Sequence, residues 1–212
     1  MKSVLIVGAG GFGRELLSWC THDPQYSTEW AVTGFLDDNP KALEGYDVSV
    51  GVIGSVADYR PRPDHELLCA IGRPVVKRRV VEMLKSKGAR FRPDVHPTVV
   101  RGGRVWLGEG VVLCPGVILT CDIVLGDFVM FNCCDSSGHD VRVGSFSTIS
   151  GHCDLTGFVA VGEGVFLGSG ARVIPGIKVG DDATVGAGST VIMHVAAGST
   201  VMGIPARPLT GF

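Results

Sequence analysis

The sequence predicts an α/β domain followed by a parallel β-helix, and two patterns carry this prediction. The first is a six-residue beat that runs from Val105 to Ala206, which is 102 residues or 17 units of six. The second is a short apolar run, Val4–Val7, which ends in a glycine-rich turn before a helical stretch. An internal repeat is examined before any other pattern, because it decides the whole fold.

The six-residue unit has the character of a short strand and a turn. We number its positions one to six from Val105, and the third position is Leu, Val, Ile or Phe in all but three units. Because side chains alternate along a strand, the first and third positions are predicted to face one interior. Glycine often follows the third position, where we expect it to take the positive φ that turns the chain. Three units then complete one triangular coil, and we expect the beat to continue unbroken to Ala206.

The glycine-rich turn near the start reads GAGGFG, from Gly8 to Gly13. It lies between the predicted strand Val4–Val7 and a helical stretch, Arg14–Cys20. A GxGxxG turn in this position lets backbone amides approach a phosphate at a helix N-terminus. Glycines that only pack a tight turn remain the alternative interpretation.

Two more strands complete the first domain. Ala31–Leu36 ends at Asp37-Asp38, where an acidic residue would meet a ribose hydroxyl, and Leu67–Ile71 ends at Gly72-Arg73. Pro74 then starts a helix over Val75–Ser86, on which the basic run 77–79 is expected to be a solvated face. Residues 1–92 are therefore predicted to form a Rossmann-like βαβαβ domain. About 90 residues before the repeat favour a nucleotide diphosphate over NAD as its ligand.

The composition sets limits on function. A net charge of −2 gives no electrostatic reason to expect nucleic acid, and the apolar runs are too short to span a bilayer. No signal-peptide pattern precedes the first strand. Seven cysteines in no framework spacing indicate reduced thiols and a cytoplasmic protein without structural metal. Two prolines in Arg92–Pro97 indicate a linker, so 93–212 is predicted to be the second domain, and His96 is expected to be a structural turn residue.

One unit breaks the repeat. Ser137 is the only polar third-position residue, and the same unit, DSSGHD, places Asp135 where Val or Ile dominates. Such a break points to a functional site. His139 in this unit has the chemistry of a general base, and Asp140 would orient it and stabilise its protonated form. His152, thirteen residues on, lines the same groove or is structural, and His194 is expected to be solvated.

At this point the chain resembles a known family. GAGGFG after the first strand, FLDDN after the second, AIGR after the third, HD within the repeat and the ending from Gly203 to Arg207 are similar to bacterial sugar-nucleotide acetyltransferases. These are the hexapeptide-repeat enzymes of the bacillosamine-pathway N-acetyltransferase and sialic-acid O-acetyltransferase type. The resemblance covers Val4 to Arg207 and implies left-handed coils. It also implies a homotrimer, cytoplasmic polysaccharide or glycoprotein biosynthesis, and acetyl-CoA lying in grooves between neighbouring β-helices.

The resemblance also assigns residues. It implies that His139 and Asp140 are catalytic, and that the Gly157 amide faces the thioester carbonyl. An asparagine one coil before the DSSGHD unit matches Asn132. The remaining matches belong to two sites. The acetyl-CoA groove toward the C-terminal coils is matched by Gly203, Pro205 and Arg207. The sugar-nucleotide site is matched by Gly11, Phe12, Gly13, Asp37, Asp38, Arg73 and His152.

Three positions depart from the family's pattern. Asp140 replaces a glutamate and is one methylene shorter, which shortens its reach to the imidazole. Thr148 stands where the type enzyme has a second histidine, while this chain has His152 four residues later, and Phe12 stands where a histidine is common. The residues around the acceptor, and so the sugar, are therefore expected to differ.

The function hypothesis is acetyl transfer from acetyl-CoA to the amine of a nucleotide-linked 4-amino-4,6-dideoxy sugar, with His139 as base. O-acetylation of sialic acid or a related sugar uses the same machinery and stays open. A zinc β-helix carbonic anhydrase needs three gathered histidines, which the spacing does not provide. A non-catalytic nucleotide-binding scaffold would leave the DSSGHD break unexplained.

Overall fold

A computed structural model describes residues 1–209 and contains an N-terminal α/β unit followed by a parallel β-helix. The elements of the first unit are β1 (Lys2–Val7), α1 (Gly11–Cys20), β2 (Trp30–Leu36), β3 (Val52–Gly54), β4 (His65–Cys69) and α2 (Pro74–Ser86). All strand pairings in its sheet are parallel, in the order β3-β2-β1-β4. The fold class predicted from the sequence is confirmed. The βαβαβ order is not, because residues 37–64 contain β3 and turns instead of a second crossover helix.

The β-helix has three faces, which we name by their order along the chain. The first face contains Asp94–Val95, Val112–Leu113, Met130–Phe131, Thr148–Ile149, Phe166–Leu167, Thr184–Val185 and Thr200–Gly203, with Ala206–Pro208 added antiparallel. The second contains Val100–Arg101, Ile118–Leu119, Ser136–Ser137, Asp154–Leu155, Arg172–Val173 and Thr190–Val191. The third contains Val105–Leu107, Ile123–Leu125, Arg142–Val143, Ala160–Val161 and Lys178–Val179. The 93–212 boundary remains a prediction, and its last three residues lie outside the described part.

The alternation predicted for the repeat is observed. First-position and third-position side chains are buried in one continuous apolar cluster, and successive coils pair with an offset of 18 residues, as between Ser136 and Asp154. Each buried aliphatic side chain contributes about 1.5–3 kcal/mol, so the stacked interior is the main source of stability.

The turn geometry differs from the prediction. Positive φ values occur at the sixth position, for example 60° at Asp122 and 57° at Phe128, and, apart from Gly198 in the last coil, not at the glycine after the third position. The glycine after the third position instead allows the backbone of the next coil to approach closely. A Cβ on Gly168, for example, would lie 2.6 Å from the Ala187 amide nitrogen of the next coil. The prediction confused two reasons for glycine, because both a left-handed conformation and tight packing exclude a side chain.

The last coil is also shorter than predicted. Val179 pairs with Val195, an offset of 16 residues instead of 18, so the unbroken beat to Ala206 is wrong. The turn before Val195 is tightened, and His194 accepts a hydrogen bond from the Lys178 amide at Nδ1, 3.0 Å away. His194 is exposed, as expected. Its imidazole nitrogen, however, takes the place of a backbone carbonyl as the hydrogen-bond acceptor of the Lys178 amide.

The N-terminal unit packs on the first face of the β-helix. Val112, Cys114 and Met130 share an apolar cluster with Leu16 and Cys20 of α1. Phe128 joins Val81, Leu84 and Phe91 on the α2 side. The same junction holds a bond between two histidines: His22 Nδ1 and His96 Nε2 are 2.8 Å apart, and burial and His22 lower the pKa of His96. The linker histidine therefore has a structural partner.

The position of Lys77 contradicts the prediction that the basic run 77–79 forms a solvated face. Its side chain is fully buried between α2 and the β-helix, where Nζ donates to Thr148 Oγ1 at 2.8 Å and to the Ser147 carbonyl at 3.2 Å. Thr148 in turn donates to the Gly72 carbonyl at 2.7 Å. Helical spacing alone does not tell which face of α2 meets a neighbour, so the sequence did not reveal this contact.

The buried amine gives the first testable prediction. Burial lowers the pKa of Lys77 from 10.5 to about 8, so the folded protein releases this proton while the unfolded chain still holds it. The contribution of Lys77 to the free energy of unfolding should therefore be flat below pH 8 and rise by on the order of 3 kcal/mol between pH 8 and 10.5. Lys77→Met should lose this gain in urea titrations, whereas Lys85→Met, on the exposed face of the same helix, should keep it. An identical pH dependence in all three proteins would contradict the assignment.

Candidate active site

The DSSGHD unit forms a strand of the second face and the turn that leads to the third face. Asp140 at the end of this turn has φ 60°, which brings its carboxylate back toward the preceding side chain. His139 Nδ1 and Asp140 Oδ2 are 2.9 Å apart. The imidazole is 54% exposed, so the pair lies open to ligands at the corner between the second and third faces.

The hydrogen bond selects the tautomer of the neutral imidazole. A carboxylate only accepts, so Nδ1 carries the hydrogen and donates a hydrogen bond to Asp140, which leaves the lone pair of Nε2 free. A free Nε2 backed by a carboxylate is the arrangement of a general base. The shorter Asp140 therefore reaches the imidazole, which answers the geometric question raised by its departure from glutamate.

Gly157 lies directly beside the free nitrogen, one coil later. A Cβ built on it would be 2.7 Å from His139 Nε2 and 2.8 Å from Cε1, so only glycine allows the imidazole to lie against this backbone. The Gly157 amide donates to no acceptor within residues 1–209. A base nitrogen and a free N–H donor thus meet at one place, which is what acyl transfer through an oxyanion requires.

Two neighbours of this pair were not identified from the sequence. The Phe158 ring lies perpendicular to the His139 ring with centroids 4.9 Å apart, and it is 60% exposed. One coil below, Arg104 binds Asp122 through Nη2 at 2.8 Å, and this hydrogen bond lowers the pKa of Asp122. Both neighbours could have been found from the coil length of 18 residues, because Asp122 lies 18 residues before Asp140 and Phe158 lies 18 residues after it.

Asn132 and His152 lie at a different corner, between the first and second faces. Asn132 belongs to the unit directly before DSSGHD in the same coil, so the expectation of a full coil's separation is wrong, and its Oδ1 accepts from the Cys133 amide at 2.6 Å. His152 is exposed, with φ 64°, and its amide donates to the Cys133 carbonyl. One whole face therefore separates His152 from His139 within a chain. Such a separation does not gather the histidines that a zinc carbonic anhydrase needs.

Apart from His152, the candidate sugar-nucleotide residues lie after the carboxyl ends of β1, β2 and β4. Gly11 and the half-buried Phe12 begin α1, whereas Gly13 is buried and a Cβ on it would lie 2.1 Å from the Gly8 carbonyl oxygen. Gly13 thus serves close packing, as the alternative interpretation of the glycine-rich turn held. The exposed Arg73 caps α2 beside a cavity of about 450 Å³ that also contacts Phe166.

The two acidic residues after β2 bind the protein's own backbone. Asp37 accepts from the Ala9 amide at 2.8 Å and from the Asn39 amide at 2.8 Å, and Asp38 accepts from the Val56 amide at 2.9 Å. Asp37 therefore ties the glycine-rich turn to β2 and fixes the shape of this edge. This tie was not visible in the sequence, where the pair was read only as a ribose contact.

The C-terminal candidates form the hairpin that closes the first face. Gly203 has φ 106° and its amide donates to Ser189 Oγ at 3.0 Å, while Pro205 and Arg207 are exposed. In residues 1–209 no three His, Cys, Asp or Glu side chains are grouped as a metal site would require. Neither helix of the same range is long and apolar enough to cross a membrane.

Comparisons with known proteins agree with this architecture in both parts of the chain. The PglD N-terminal domain family matches residues 3–84, and the bacterial transferase hexapeptide family (six repeats) matches residues 158–192. The structure of PerB from Caulobacter crescentus, in complex with CoA and GDP-perosamine, is 30% identical with a TM-score of 0.86, over 99% of this chain and 98% of that one. The chain belongs to the bacterial hexapeptide-repeat sugar-nucleotide acetyltransferases.

Other members of this acetyltransferase family match over nearly their full length. The acetyltransferase domain of PglB from Neisseria gonorrhoeae FA1090 is 26% identical with a TM-score of 0.89, over 99% of this chain and 100% of that one. The GDP-perosamine N-acetyltransferase of Escherichia coli O157:H7 is 27% identical over 214 residues, which are 96% of this chain and 95% of the relative. The resemblance inferred from the sequence motifs is confirmed.

Proposed function

We propose that this acetyltransferase transfers the acetyl group of acetyl-CoA to the amine of a nucleotide-linked 4-amino-4,6-dideoxy sugar. The observation that carries the proposal is the position of His139 Nε2 beside the Gly157 amide, which has no acceptor within residues 1–209. The PerB structure, which holds CoA and GDP-perosamine, and the GDP-perosamine N-acetyltransferase of Escherichia coli support both the donor and the acceptor class. The reaction needs no metal, since the base and the oxyanion donor are both protein groups.

The chemistry follows from these two groups. His139 Nε2 takes a proton from the amine as its nitrogen attacks the thioester carbonyl, and Asp140 stabilises the resulting imidazolium. The carbonyl oxygen becomes an oxyanion to which the Gly157 amide donates. When the tetrahedral intermediate collapses, the new amide bond is complete, the carbon–sulfur bond breaks and the imidazolium proton neutralises the departing CoA thiolate. Transfer is direct, without an acyl-enzyme.

The separation of the candidate sites supports a homotrimer. The N-terminal unit covers the first face, whereas His139 lies at the corner opposite that face. One chain therefore cannot present a nucleotide held by its own N-terminal unit to its own His139. A neighbouring β-helix that brings its corner with Asn132 and His152 toward His139 would complete the site, and the exposed Trp106 and Phe158 favour such an interface.

In this arrangement acetyl-CoA lies in the groove between two β-helices. Its thioester is at Gly157, and its nucleotide end extends toward the hairpin with Gly203, Pro205 and Arg207. The nucleotide diphosphate of the acceptor is held by the N-terminal edge at Gly11, Phe12, Asp37, Asp38 and Arg73. The proposal keeps the cytoplasmic location and the polysaccharide-biosynthesis setting expected from the resemblance.

Free-thiol release from acetyl-CoA tests the proposal, with UDP-, dTDP- and GDP-linked 4-amino sugars and free sialic acid as acceptors. We expect turnover on at least one nucleotide-linked amino sugar, and the preferred acceptor also identifies the nucleotide base. Turnover on sialic acid alone would replace the proposal by O-acetylation.

A further inference from the structure

Asp135, the first residue of the DSSGHD unit, lies inside the β-helix at a position that is apolar in most other coils. It is fully buried, and its Oδ1 accepts from the Cys153 amide at 2.8 Å. Its Oδ2 has no hydrogen-bond partner in the described part of the chain, and neither has Ser137 Oγ, the next interior atom on the strand. A buried polar atom without a partner costs free energy, so the position calls for an explanation.

The repeat itself indicates the missing partner. At the equivalent position, the Ser147 hydroxyl accepts from the Val165 amide, 18 residues on, and donates to the Gly162 carbonyl, 15 residues on. The Cys153 thiol also donates to a carbonyl 15 residues on, that of Gly168. Interior polar side chains at this position therefore hydrogen-bond to two points of the next coil, an amide 18 residues on and a carbonyl 15 residues on, and we call this arrangement a clip. For Asp135 the first point is the Cys153 amide, and the same offset of 15 residues makes the Ser150 carbonyl the candidate for the second.

Only a neutral carboxyl can make the second bond, because a carboxylate cannot donate. Desolvation raises the pKa of Asp135 to about 8, so the acid is predominantly neutral at pH 7. The titratable side chains facing it are thiols, and α1 contributes Glu15 near two of them. Burial raises the pKa of each thiol, so they too stay uncharged: Cys114, Cys133 and Cys153.

We propose that Asp135 is a positioning residue, a neutral acid whose hydrogen bond to the Ser150 carbonyl holds the corner that carries His152. The proposal rests on the proposed function in one respect, that this corner faces the acceptor sugar. Ionisation of Asp135 breaks the bond and leaves an unpaired carboxylate inside the coil. Acceptor binding then weakens while acetyl-CoA binding is unaffected.

The direction with pH follows from linkage. The folded pKa lies above the unfolded value of 3.8, so between pH 4 and 8 the folded state holds a proton that the unfolded chain has lost. The contribution of Asp135 to stability therefore falls as pH rises through this window and is constant above it. Asp135→Asn keeps one acceptor and one donor at every pH, so its melting temperature should rise relative to the wild type up to about pH 8.

The decisive experiment compares the wild type with Asp135→Asn from pH 6 to 9.5. In the wild type the amide NMR signals of His152 and Cys153 should titrate near pH 8, and a neutral-carboxyl infrared band should disappear with the same midpoint. The KM for the nucleotide sugar should rise about tenfold from pH 7 to 9, because the competent fraction falls by that factor. In Asp135→Asn all three changes should be absent, and the KM for acetyl-CoA should stay constant in both proteins.

Controls separate this role from simple destabilisation. Ser147→Ala removes an equivalent clip elsewhere and should lower the melting temperature without changing the pH dependence, and Asp135→Ser replaces Asp135→Asn if the latter fails to fold. Wild-type signals that titrate identically in Asp135→Asn would overturn the proposal. A titration that Asp135→Asn abolishes, without turnover of any nucleotide sugar, would support the neutral acid and count against the proposed function.

Discussion

Replacing His139 by alanine is expected to lower kcat for acetyl transfer by about 10²–10⁴-fold, the usual contribution of a positioned general base. The reason is geometric: Nδ1 is bonded to Asp140, and Nε2 lies beside the Gly157 amide, where the reacting carbonyl would bind. The loss should appear in kcat, while the KM for acetyl-CoA stays close to that of the wild type. Steady-state kinetics with the acceptor identified in the panel measures both values.

His194→Gln is the matched control for this change. His194 is also an exposed histidine of the β-helix, but it lies near the far end of the coil stack, about three coils from His139 and about two from Gly157. Its replacement should leave kcat unchanged. A His139→Ala enzyme with nearly normal kcat would remove the base from the mechanism and leave the fold assignment intact.

Gly157→Ala is expected to lower kcat by at least about 10²-fold, although it adds only one methyl group. The added Cβ would lie 2.7 Å from His139 Nε2, so the imidazole has to rotate away from its place beside Asp140. Misplacing a catalytic group by about 1 Å is enough for a loss of this size. The fold should survive, because Gly157 takes no left-handed φ that a methyl group would strain.

Gly103→Ala controls for the change of residue type. Gly103 occupies the same column of turns three coils earlier, and a Cβ on it would meet nothing within 4 Å. This variant should therefore match the wild type in kcat and in melting temperature. If Gly157→Ala retains wild-type kcat and an unchanged pH profile, the imidazole does not work from the position beside Gly157.

The fold was predictable because a period of six specifies a stack of short strands almost completely. The apolar third position fixed which side chains face the interior, and the strand–glycine–helix opening fixed the first unit. Glycine at the fourth position was misread, since a sequence does not distinguish a left-handed turn from close packing. The offset of 16 residues at Val195 also escaped detection, because the six-letter pattern continues while the turn before it shortens.

The candidate site was predictable only where it disturbs the repeat. His139 and Asp140 were found from a break in the pattern, and their contact follows from the left-handed turn at Asp140. Phe158 follows the pattern of outward sixth positions and became relevant only through its distance from His139. The burial of Lys77 and the backbone bonds of Asp37 depend on how distant parts of the chain pack, which spacing alone does not encode.

The central claim is that the pair of His139 and Gly157 transfers acetyl to an amine on a nucleotide-linked sugar. The most direct test offers the enzyme two nucleotide sugars that differ only in an amine or a hydroxyl at C4, with acetyl-CoA, and identifies the product by mass spectrometry. The account predicts one acetyl group added to the amino sugar, none to the hydroxyl sugar, and loss of the product in His139→Ala. Equal acetylation of both sugars, or acetylation that survives in His139→Ala, would contradict it.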